Sequence, residues 1–92
     1  MHAQSYRLHI QRVDPNRNMA RYYELSLEPT LFGEISLVRA WGRIGRRGQR
    51  RVDLFATEKR AVEVFLEILR KKRAKGYRPA RVAPFRKKPN VA

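Results

Sequence analysis

Apolar and polar residues alternate with period two through the first half of this chain, and the pattern changes to a helical period in the second. Tyr6, Leu8 and Ile10 alternate with Arg7, His9 and Gln11, which predicts a half-buried strand. Asp14-Pro15-Asn16 then supplies turn residues. From Ala20 to Glu28, Arg21, Tyr23, Leu25 and Leu27 alternate with Tyr22, Glu24, Ser26 and Glu28, giving a second strand. Its adjacent tyrosines must point to opposite faces, one to the core and one to water. Pro29 to Gly33 form a connection, and Glu34 to Ile44 a third strand in which Ile35, Leu37 and Val38 lead to Trp41. Gly45-Arg46-Arg47-Gly48 suits a tight hairpin, followed by a fourth strand from Gln49 to Phe55.

Thr57 is a good N-cap, and Glu58 suits the positive end of a helix dipole. Ala61, Val64, Phe65, Ile68 and Lys72 fall on one helical stripe, which Val62, Leu66 and Leu69 widen. Arg70-Lys71-Lys72-Arg73 and Lys75 crowd the last turns, where cations are favoured, and Gly76 is a natural C′ stop. Pro79, Pro84 and Pro89 exclude a helix beyond it. The predicted fold is α+β: a small antiparallel sheet of about four strands crossed by one helix. Residues 1–77 form the domain and residues 78–92 an extended basic tail, in which Val82 and Phe85 suggest partial packing.

Ninety-two residues make one small domain, and 42% apolar residues suffice for one modest core. The best apolar run, Val62 to Leu69, is short and interrupted by Glu63 and Glu67, so no bilayer span is expected. With no apolar leader at the N-terminus, a soluble cytoplasmic or nucleoid-associated protein is expected. The absence of cysteine excludes disulfides and thiolate metal sites. His2 and His9 lack the neighbours of a metal site, and no glycine-rich nucleotide loop or catalytic carboxylate pair occurs. Neither an enzyme, a cofactor nor a small-molecule substrate is expected.

The net charge of +14 is unevenly placed. Residues 1–38 are neutral, whereas residues 39–92 carry 18 bases against 4 acids. Arg39 to Arg51 holds six arginines, three glycines and the chain's only tryptophan, and no acid lies between Glu34 and Asp53. Arginine forks suit phosphates, and a tryptophan face suits a base or sugar. The candidate site therefore comprises Trp41, Arg43, Gly45, Arg46, Arg47, Arg39, Arg50 and Arg51, with Lys87 and Lys88 from the tail.

Two readings are open for several of these residues. Trp41 stacks on a ligand or belongs to the core, and Arg43 grips a phosphate or pairs with Glu24 or Asp53. Gly42 and Gly45 expose N–H groups or serve a bulge and the hairpin. Alternation sends Arg50 and Arg51 to opposite faces, so Arg46 and Arg47 at the tip have the freest reach.

Tyr22-Tyr23-Glu24-Leu25, Trp41-Gly42-Arg43-Ile44-Gly45 and Gly48-Gln49, followed by Ala61, Phe65 and Lys72 to Gly76-Tyr77, resemble the ordered motifs of a WGR domain. The resemblance covers about residues 5–77. WGR domains occur in DNA-dependent poly(ADP-ribose) polymerases, in some bacterial multidomain proteins and as short stand-alone bacterial proteins. The resemblance implies an antiparallel sheet with a crossing helix. It also implies a non-catalytic module that binds a DNA break and relays its presence, with Trp41 and Arg43 near the 5′ end of the broken strand. This sequence carries neither zinc fingers nor an ADP-ribosyltransferase domain, so no relay is expected. Arg46 and Arg47 add charge where many members have less, which favours general phosphate binding over end recognition. DNA is thus the expected partner, with RNA or an acidic protein as alternatives and no membrane.

Overall fold

The computed structural model describes residues 6–80. Four strands, β1 (Tyr6–Asp14), β2 (Met19–Pro29), β3 (Ile35–Arg43) and β4 (Gln49–Phe55), precede the helix α1 (Glu58–Ala74). A two-residue strand β5 (Arg78–Pro79) follows, and the sheet order is β4-β3-β2-β1-β5 with antiparallel pairing throughout. The α+β architecture is the expected one. The fifth strand is an addition to it: Arg78 and Pro79 pair with Gln11 and Ile10, and the Ala80 N–H donates to the His9 carbonyl at 3.1 Å. A strand this short has no periodicity to read.

Register places Ile10, Tyr23, Leu25, Leu27, Ile35 and Leu37 on one face of the sheet, and all are buried. α1 crosses this face over β2, β3 and β4. Ala61 is fully buried against the sheet, and Val64, Phe65, Ile68 and Leu69 pack around it. Leu66, expected to widen the apolar stripe, points outward and is exposed. Burying the four largest enclosed side chains, Ile10, Leu25, Leu27 and Leu37, contributes roughly 1.5–3 kcal/mol each.

The helix ends are locally encoded. The Thr57 hydroxyl accepts the Arg60 N–H at 3.2 Å, satisfying one free donor of the first turn. At the other end Gly76 has φ +102°, a conformation that favours glycine. The Gly76 N–H donates to the Arg73 carbonyl and the Tyr77 N–H to the Lys72 carbonyl, both at 3.0 Å. This is a Schellman closure, and it turns Tyr77 back into the core.

Lys87 and Lys88, with the other tail residues from Arg81 on, lie outside the described residues.

Candidate nucleic-acid interface

On the helix-covered face, β3 changes character along its length, from buried Ile35 and Leu37 to half-buried Arg39 and Trp41 and then exposed Arg43. β2 does the same in reverse, from Leu27, Leu25 and Tyr23 to exposed Arg21. Strand register sets Tyr23 opposite Trp41 and Arg21 opposite Arg43. A cleft of about 400 Å³ opens here, beyond the last turn of α1, and Lys72 and Tyr77 also line it. The Tyr23 ring stacks on Trp41, with centroids 5.8 Å apart and 18° between planes, and meets Tyr77 edge-on at 6.4 Å. Trp41 is therefore both things at once. It packs on the core and lines an open cleft.

Arg43 does not pair with Glu24 or Asp53. Its Nη1 and Nη2 donate to the backbone carbonyl and Oδ1 of Asn18, at 3.2 and 3.1 Å. Asn18 closes the 3-10 turn of Pro15–Arg17 in the left-handed conformation, φ 52°, which asparagine tolerates better than most residues. Asp14 caps that turn by accepting the Asn16 N–H. The D-P-N-R-N sequence thus folds into a platform for one guanidinium. Glu24 instead pairs with His9 at 2.8 Å on the uncovered face, where His9 and Tyr22 stack 5.8 Å apart.

The remaining arginines of the segment divide sharply. Asp53 Oδ2 accepts Arg39 Nη2 at 3.2 Å and Arg51 Nε at 3.1 Å, so one carboxylate compensates two cations. Arg50 lies on the opposite face, where with Arg7, Glu24 and Glu28 it borders a separate shallow depression. Arg46 and Arg47 are exposed in the β3–β4 loop and form no ion pair among the described residues. The structure thus gathers Trp41 and Arg43 into one cleft, sets Arg46 and Arg47 just beyond it, and separates off Arg50. Arg21, which lines the cleft opposite Arg43, also forms no ion pair among the described residues. Like charges set directly across two strands repel, so this pair leaves a site that an anion would relieve.

The β3–β4 connection is wider than a tight hairpin and spans residues 44–48. The Arg46 N–H donates to the Arg43 carbonyl at 3.0 Å, and Gly45 at φ +86° fills the position of that turn requiring positive φ. Gly42 and Gly48 serve a close crossing. A Cβ on Gly42 would lie 2.8 Å from Gly48 Cα, and one on Gly48 would strike the Trp41 carbonyl and sit 2.7 Å from the Tyr22 hydroxyl.

Spacing alone makes Lys72 the end of the helical stripe, yet the fold brings it into the cleft. Its Nζ lies 4.3 Å from the Tyr23 ring centroid and 5.4 Å from that of Tyr77. Burial holds this ammonium below the usual lysine range, and the charges of Lys75, Arg39 and Arg21 push the same way. Arg21, Lys72 and Tyr77 line the cleft and Asn18 holds Arg43, and none of the four is among the site residues expected from the sequence. A cation on an otherwise apolar helix stripe is the available signal for Lys72, and the shared parity of Arg21 and Tyr23 is the signal for Arg21.

This is an α+β domain whose cleft combines aromatic rings with arginines that form no ion pair among the described residues. No group of three or more metal-ligating side chains occurs among the described residues, and no helix is long and apolar enough to cross a membrane. The chain belongs to the WGR domain family, whose model matches residues 6–84. It is 55% identical over all of its length to the uncharacterized protein y4dW of Sinorhizobium fredii, of which it spans 45%. WGR domains are non-catalytic modules associated with nucleic-acid binding in proteins of the poly(ADP-ribose) polymerase type.

Proposed function

We propose that this chain binds DNA through the cleft at the end of β2 and β3, holding a strand end or nick there. The observation that carries this reading is the opposed pair Arg21 and Arg43, uncompensated by any acid among the described residues and bordering half-buried Trp41. A terminal phosphate bridges the two guanidiniums, and the adjoining sugar or base rests on the indole; such stacking contributes roughly 1–3 kcal/mol per base. Arg46 and Arg47, at the exposed loop, meet the flanking backbone. Arg39 and Arg51 are secondary because Asp53 already holds both. Gly45 shapes the loop and makes no ligand contact. Arg50, on the opposite face, contributes only long-range attraction.

Binding to four labelled ligands tests this: a nicked duplex with a 5′-phosphate, a closed circular duplex, single-stranded DNA and RNA. Two salt concentrations are needed because a strongly basic chain holds any polyanion at low salt. Preference for the nicked duplex that persists at the higher salt is the expected result. Equal binding that vanishes with salt would refute end recognition and leave only general attraction.

A protein partner is the second reading, favoured by one observation. Leu31 and Phe32 are 96% and 87% exposed at the tip of the β2–β3 loop. That tip is an ordered turn, closed by Thr30 N–H to the Glu34 carbonyl at 2.8 Å. Affinity purification that returns one stoichiometric protein, undisturbed by nuclease and lost in a Leu31→Ser/Phe32→Ser variant, would establish it.

A further inference from the structure

Lys72 differs in setting from the other lysines of the described residues. Lys59, Lys71 and Lys75 are exposed, and Lys71 pairs with Glu67 at 3.7 Å. Lys72 is half-buried and has neither an ion pair nor a side-chain hydrogen bond among the described residues. Its backbone is fixed by the Schellman closure, since its carbonyl accepts the Tyr77 N–H. Its Nζ lies over the rings of Tyr23 and Tyr77, in the cleft that Trp41, Arg21 and Arg43 also line. An amine in such a place is poised for more than charge. Lysines become nucleophiles where desolvation and neighbouring cations favour the neutral form, and both conditions hold here.

We propose that Lys72 is a reactive amine that condenses with the aldehyde of a ring-opened abasic deoxyribose at a DNA strand end. The proposal rests on the DNA-end reading above, which brings the terminal sugar against Trp41 and its phosphate against Arg21 and Arg43. The Nζ lone pair attacks the aldehyde carbon and a C–N bond forms. The resulting carbinolamine loses its hydroxyl with a proton as water, leaving an imine. No oxidant, reductant or metal enters the step. The cleft brings together a ring face for the sugar, two guanidiniums for the phosphate and a half-buried amine without an ion pair among the described residues. The cleft has no carboxylate to hold the amine as a fixed ion pair. Imine formation captures a damaged end covalently but reversibly, which a purely electrostatic clamp cannot do.

Borohydride reduction, which converts the imine to a stable secondary amine, tests the proposal on the full chain. The probe is a nicked duplex carrying an abasic sugar 5-phosphate at the 5′ terminus of the nicked strand, and its binding is measured first by fluorescence anisotropy with the sugar pre-reduced to the alcohol. The expected result is a covalent adduct that peptide mass spectrometry locates on Lys72. Lys72→Arg, with trapping expressed per bound complex, is expected to lose the adduct. Binding without an adduct, an adduct spread over Lys71, Lys75, Lys87 and Lys88, or full trapping by Lys72→Arg would overturn the assignment. If the duplex is not bound, the DNA-end reading fails by itself, and free 2-deoxyribose 5-phosphate then tests the amine alone. Labelling of Lys72 by that sugar would sustain the reactive amine, and no labelling would dismiss it.

Discussion

Asn18 is the residue on which the orientation of Arg43 depends, and two substitutions separate its roles. Asn18→Gly keeps access to the left-handed conformation at φ 52° and keeps the backbone carbonyl that accepts Arg43 Nη1 at 3.2 Å. It removes only Oδ1, the acceptor of Nη2 at 3.1 Å. Asn18→Ala removes the same acceptor and adds left-handed strain of roughly 1–2 kcal/mol. For a domain of this size, that strain lowers the melting temperature by about 4–8 °C per kcal/mol. In binding, an Arg43 released from its platform must be ordered by the ligand, at about 0.5–1.5 kcal/mol for such a side chain. Dissociation constants for the nicked duplex therefore rise about two- to tenfold in both variants. Titration of the nicked and closed duplexes, alongside thermal unfolding, reads both effects. Asn18→Gly is expected to melt close to the parent protein yet lose end preference. If it binds the nick as tightly as the parent, Arg43 needs no platform and the role given to Asn18 in binding is refuted. If instead it unfolds as early as Asn18→Ala, the turn matters only for stability.

Three other outcomes follow from the same geometry. Gly48→Ala forces a Cβ into the Trp41 carbonyl, so the β3–β4 crossing must open; an overpacking loss of about 1–3 kcal/mol is expected in urea unfolding, whereas unchanged stability would show the loop to be pliant. Arg46→Glu/Arg47→Glu is expected to weaken binding to every duplex alike and to flatten the logarithmic salt dependence by about one unit for each phosphate no longer neutralised; an effect confined to nicked DNA would place the loop in end recognition instead. Lys72→Met tests the linkage between charge and folding. The folded protein holds the Lys72 proton less tightly than the unfolded chain, whose lysine keeps the ordinary value of 10.5. The unfolded chain therefore binds more protons between the lowered value and 10.5, and stability gains from Lys72 as pH rises through that window. Subtracting the curve of Lys72→Met, in which the tyrosines still titrate, should leave this rise; parallel curves would mean that the amine is not desolvated.

Much of the fold is legible in the sequence because its signals are local. Alternation sets the faces of β1 and β2, and Thr57 and Gly76 mark the ends of α1 as chemistry requires. Leu66 is a misreading of spacing: five residues on from Ala61 it stands about 140° round the helix, outside the buried stripe, and is exposed. The other errors share a cause, which is that a neighbour distant in sequence decides the outcome. Arg78 and Pro79 make a strand only because the Schellman turn delivers them to the edge of β1. The site is legible in part for the same reason. A dense arginine segment announces itself in sequence, but its division between the cleft, Asp53 and the opposite face depends on register. Nothing near Arg43 in sequence points to Asn18, 25 residues earlier.

The position of the cleft follows from a mismatch of lengths. The start of β2 and the end of β3 lie beyond the cover of α1, so Arg21 and Arg43 on the helix side are exposed. A sheet end left bare in this way can carry polar residues at no desolvation cost, and this chain fills it with arginines. The aromatic layer of Tyr23, Trp41 and Tyr77 lies between that cationic rim and the aliphatic core. Rings suit the boundary because one side can pack on leucine and isoleucine while an edge or face remains open. Asp53 lies one strand farther out and takes Arg39 and Arg51, leaving Arg21 and Arg43 uncompensated among the described residues. Charge is thus removed from the covered part of the face and retained at its open end. A chain needing only solubility has no reason to arrange its cations so, because opposed arginines are unfavourable until an anion arrives.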